Sequence, residues 1–70
     1  MNNHTYKKIE IVGSSEVSSD DAVQNALGKA GKSVKNLRWF EVTETRGLIG
    51  DNGKVSYWQV TVKIGFTMED

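Results

Sequence analysis

The chain has 70 residues, nine basic and nine acidic side chains in balance, no cysteine and one histidine, His4. So short a chain makes one domain, residues 1–70, burying only about 60% of its unfolded surface, and without disulfide or metal ligands its remaining route to stability is self-association. Even charge excludes a dominant attraction to nucleic-acid phosphates, while the lack of an apolar run near about 20 residues and of a signal-peptide pattern predicts a cytoplasmic protein without membrane contact.

In chain order, residues 5–12 alternate as a strand with Ile9 and Ile11 inward, and Gly13-Ser14-Ser15 is expected to end it. Ser18 with Asp21 three residues on has the form of a capping box with Asp in place of Glu, and Asp20 and Asp21 suit the positive end of a helix dipole. Val23, Ala26, Leu27, Ala30 and Val34 then follow helical spacing, giving one apolar stripe over about four turns. Gly28 and Gly31 each weaken such a helix by up to about 1 kcal/mol relative to alanine. Lys29, Lys32, Lys35 and Arg38 recur at near-helical spacing as a solvated basic face.

Residues 37–46 and 55–66 read as two further strands, joined through Gly47–Lys54, where Asn52-Gly53 is the strongest short hairpin signal. The order strand, helix, strand, strand predicts an α+β fold, a β-α-β-β unit in which the first and second strands lie parallel with the third between them. The helix covers one face, expected to carry Ile9, Ile11, Phe40, Val42, Val60, Val62, Ile64 and Phe66, with Trp58 on the same side. By strict alternation the bare face carries Trp39, Glu41, Thr43 and Thr45 from one strand and Tyr57, Gln59, Thr61 and Lys63 from the other.

No catalytic constellation emerges. His4 lies near a terminus without a partner, the serines before the helix are explained by capping, and strict alternation sends Glu41 and Glu44 to opposite faces. The Gly-x-x-Gly matches at Gly28–Gly31 and Gly47–Gly50 fall inside a helix and a hairpin, not between two helices as an RNA-binding loop requires. A binding protein rather than an enzyme is therefore expected. Trp39 has two readings: an indole buried by a neighbouring subunit, or a platform for a flat heteroaromatic ring, with the Gln59 carboxamide able to donate and accept at an imide edge.

The stretch Tyr6-Lys-Lys-Ile-Glu-Ile-Val-Gly-Ser-Ser15, the run Leu37-Arg-Trp-Phe-Glu-Val-Thr-Glu-Thr-Arg-Gly47 and the tail Gln59-Val-Thr-Val-Lys-Ile-Gly-Phe66 together resemble the bacterial dodecins over nearly the whole chain. The resemblance implies a three-stranded antiparallel sheet partly wrapped around one helix, and a homododecamer closing into a hollow sphere. It further implies that a flavin, FMN or riboflavin, is stored or sequestered where subunits meet. Its ring would stack on Trp39, its pyrimidine edge would meet Gln59, and Arg46 would meet an FMN phosphate or close the site. Leu48 stands where many bacterial members have histidine, and Tyr57-Trp58 replaces a histidine–aromatic pair. The alternative is an oligomeric shell with coenzyme A, or no physiological flavin, as ligand.

Overall fold

The structure is a computed structural model and describes residues 3–68. Four elements follow one another: β1 (Tyr6–Ser15), α1 (Ser19–Ser33), β2 (Leu37–Ile49) and β3 (Val55–Thr67). They build one sheet in the order β1-β3-β2, with β3 antiparallel to both neighbours, so that β1 and β2 run parallel on either side of it. This is the architecture expected from the sequence.

Helix α1 starts as the capping pattern requires: the Ser18 hydroxyl accepts from the Asp21 backbone N–H at 3.0 Å, and Asp20 and Asp21 occupy the first turn. Ser15 extends the network, donating to Asp21 Oδ2 at 2.6 Å and accepting from the Val17 amide at 2.9 Å. The helix ends at Ser33, so of the basic residues only Lys29 and Lys32 lie on it; Lys35 is in the linker and Arg38 on β2. Asn36 then turns the chain into β2 in the left-handed conformation, φ 65°, which asparagine tolerates better than most residues.

The helix approaches the sheet through small side chains. Ala22, Ala26 and Ala30, each four residues apart on one row, are buried against Val60, Val62 and Ile64, with Val23, Leu27, Ile9, Ile11 and Leu37 packed around them. Gly13 does not end β1. A Cβ there would overlap the Ala22 carbonyl oxygen and come within 2.8 Å of Ala26 Cβ, so glycine is what lets α1 sit directly on the strand, and β1 continues to Ser15.

Two further expectations are corrected. Helix α1 packs mainly on β1 and β3 and reaches β2 at its first residue, Leu37, leaving Phe40 and Val42 on the helix side of the sheet but 45% and 48% exposed. Strict alternation also fails within β2. A register shift between Val42 and Glu44 makes Glu44 the partner of Thr61 and Thr45 the partner of the core residue Val60. Thr45 therefore belongs to the helix side, and Glu44 joins Glu41 on the bare face, because one extra residue in a bulge inverts every side chain after it.

The hairpin between β2 and β3 turns at Gly50–Lys54, with Gly50 N–H donating to Lys54 O at 2.8 Å and Gly53 N–H to Gly50 O at 2.9 Å. Gly53 alone takes a positive φ, 79°, while Asn52 does not. The turn sits where the Asn-Gly signal places it but is longer than the two-residue form, and β2 reaches Ile49 before it begins.

Candidate functional site

The bare face of the sheet is built in three bands, which the register assigns residue by residue. At one end Tyr6 of β1, Gly65 of β3 and Trp39 of β2 lie together; Trp39 pairs directly with Gly65, and Tyr6 with Thr67. The Tyr6 and Trp39 rings meet edge to face, centroids 5.1 Å apart and planes at 68°, a favoured aromatic geometry. Trp39 stays 39% exposed and Tyr6 46%, so both rings are open at this end of the bare face, the indole being the larger flat surface.

The middle band is charged. Lys63 faces Glu10 on one side and Glu41 on the other, and Lys8 Nζ lies 3.0 Å from Glu41 Oε1, both half exposed. Such a pair contributes at most about 1 kcal/mol. Next to it Thr61 Oγ1 donates to Glu44 Oε1 at 3.2 Å. The carboxylates of Glu41 and Glu44 share a face, yet each is engaged by a neighbour on its own strand row or the next, an arrangement of cross-strand pairing.

At the far end Arg46 pairs with Gln59 and Leu48 with Tyr57. Arg46 Nε donates to Gln59 Oε1 at 2.9 Å, which holds the carboxamide by its oxygen, while its NH2 can still act as a donor. Gln59 is half-buried and Leu48 half-buried beside it, while Arg46 is exposed.

All four residues singled out from the sequence, Trp39, Gln59, Arg46 and Leu48, therefore lie on one face. They do not form one site within a chain. The strand partner of Trp39 is Gly65, six residues along β3 from Gln59, so indole and carboxamide start about 20 Å apart at a rise of about 3.3 Å per residue. A single fused ring system stacked on Trp39 cannot also reach Gln59 of the same chain. Sequence reading missed Gly65, although an interior strand glycine opposite an aromatic residue is a recognisable sign that something approaches the backbone closely.

Among the described residues no group of three or more His, Cys, Asp or Glu side chains is placed to hold a metal ion, and no helix is long and apolar enough to cross a membrane. A groove of about 560 Å³ runs between α1 and β1, lined by Ile9, Ile11, Ala26 and Ala30 with Asn25 and Lys29 at its rim. It lies on the opposite side of the sheet from Trp39.

Comparison with known proteins places this geometry. The family model described as Dodecin matches residues 5–69. The dodecin of Thermus thermophilus is 48% identical over 65 residues, covering 93% of each chain. A solved dodecin from Streptomyces coelicolor superposes with a TM-score of 0.93 at 48% identity, covering 100% of this chain and 99% of its own. The calcium dodecin of Mycobacterium tuberculosis is 32% identical and spans 90% of this chain and 87% of its own. With a family model over nearly its full length, and the same strand order and helix placement, the chain belongs to the dodecin family.

Proposed function

We propose that the protein is a homo-oligomeric flavin-binding protein that stores or sequesters FMN or riboflavin and quenches its photochemistry by stacking on Trp39. The observation that carries this reading is the Trp39 ring itself, held at one end of the bare face by Tyr6 and Gly65 and still exposed on its outer side. An indole face stacks on a flat heteroaromatic ring, and Gln59, oriented by Arg46, supplies the donor and acceptor that an imide edge requires. The separation of the two residues within a chain supports a ligand site between subunits.

The chemistry needs no acid, base or nucleophile. An excited flavin takes one electron from the indole in contact with it, and return of that electron restores both ground states, so no bond is made or broken and no oxidant is consumed. Close stacking is the whole requirement.

The test is a titration of dilute riboflavin and FMN with the assembled protein, followed by flavin fluorescence. Saturable quenching is expected, and Trp39→Ala should abolish most of it, weakening binding by about 1–3 kcal/mol, the contribution of comparable stacking contacts. Unchanged flavin binding in a folded, assembled Trp39→Ala variant would sink the site. Absence of quenching by the parent protein would leave a shell with coenzyme A, or no flavin, as the reading in front.

A further inference from the structure

The position of Trp39 is set by a residue that carries no side chain. On β3 the bare-face positions run Tyr57, Gln59, Thr61, Lys63 and Gly65, and only the last lacks a Cβ. A Cβ built at Gly65 would overlap Cε2, Cζ2 and Cη2 of the Trp39 indole. The six-membered ring thus occupies the space where a side chain at 65 would stand. The ring reaches from β2 across β3 toward β1, where Tyr6 meets it edge-on at 5.1 Å. Gly65 takes no left-handed backbone conformation, the positive φ among glycines belonging to Gly53, so its requirement here is space for the indole and not backbone freedom.

We propose that Gly65 is the positioning residue of the flavin site: it is the seat on which Trp39 lies over the sheet with its outer face open, and Tyr6 is the stop that fixes how far the ring extends. The proposal rests on the reading of Trp39 as the stacking platform. It adds that the depth of the slot between this ring and whatever lies opposite is decided by the residue at 65. Any side chain there lifts or turns the indole, and a flat ligand then loses parallel contact even though Trp39 is still present.

The experiment is made in a Trp58→Phe background, so that tryptophan emission reports Trp39 alone. Gly65→Ala is expected to weaken riboflavin binding about tenfold or more, approaching the loss in Trp39→Ala, and to shift the Trp39 emission in the absence of ligand. The thermal midpoints of Gly65→Ala, Trp39→Ala and the double variant complete a cycle. If Gly65 serves as the seat, the methyl is costly beside the indole and nearly neutral once Trp39→Ala has emptied the space, so the double variant folds even where Gly65→Ala alone does not. Parental riboflavin affinity in Gly65→Ala, or an equal destabilisation by Gly65→Ala with and without the indole, would overturn the proposal. Should the parent protein fail to quench riboflavin, the flavin reading falls, and the emission shift and stability cycle still decide whether Gly65 seats Trp39.

Discussion

Arg46 is exposed and charged, and its engagement with Gln59 decides what its loss should do. The guanidinium Nε is 2.9 Å from the Gln59 carbonyl oxygen, so its first effect is to hold the carboxamide in one orientation. A role confined to the FMN phosphate would weaken FMN and leave riboflavin untouched; a role through Gln59 weakens both. We expect Arg46→Ala to weaken FMN and riboflavin alike, each by about fivefold, the size of one hydrogen bond of about 1 kcal/mol, with parallel fluorescence titrations as the check. At this scale period-two alternation was enough to put Trp39 and Gln59 on the bare face. It failed at Glu44 and Thr45, because a bulge leaves no mark in a run as uniformly strand-forming as Phe40–Arg46. It also could not show that Trp39 and Gln59 sit at opposite ends of that face, a matter of register along β3 and not of which side a residue points to.

Among the elements, the start of α1 was legible and the end of β1 was not. Ser18 and Asp21 form the expected cap, since capping is a local chemistry that sequence spacing determines. Gly13-Ser14-Ser15 looks like a break on propensity alone, yet the three residues are paired with Val60, Gln59 and Trp58. Tertiary packing overrides the local preference: the helix backbone at Ala22 needs a glycine beneath it, and Ser15 is held by the Asp21 carboxylate. Two substitutions separate these contributions. Ser18→Ala should cost about 1 kcal/mol, the usual value of an N-cap. Gly13→Ala should cost more, about 1–3 kcal/mol or above, because the added methyl meets a helix carbonyl that cannot rotate away. Denaturant midpoints of the two variants provide the measurement. A smaller loss in Gly13→Ala than in Ser18→Ala would mean that α1 does not depend on that close approach.

For the molecule as a whole, the governing fact is a mismatch of lengths. Strands β2 and β3 have 13 residues each and α1 has 15, which makes the hairpin about 43 Å long and the helix about 22 Å. One helix cannot cover that sheet, and α1 lies over β1 and β3. Phe40 and Val42 are left open on its side, with Ile49 and Val55 exposed near the hairpin tip. Burying a side chain of this kind completely is worth about 1.5–3 kcal/mol, so a partner covering these four exposed residues gains several kcal/mol, comparable to the whole stability of a domain of this size. A second copy of the chain has the matching need. Val42→Lys places a charge in the middle of the uncovered stripe without touching the Trp39 end or the Gln59 end of the opposite face. We expect it to shift sedimentation from a large species to small ones and to lose flavin quenching with the assembly, because one chain presents indole and carboxamide about 20 Å apart. Dispersed Val42→Lys subunits that still quench riboflavin at parental affinity would show that a lone chain suffices and that Gln59 takes no part in the site Trp39 forms. Retained assembly would show that the Phe40–Val42 stripe is not the surface that copies bury. The two readouts separate association from ligand contact, which the length mismatch and the residue spacing along β3 tie together.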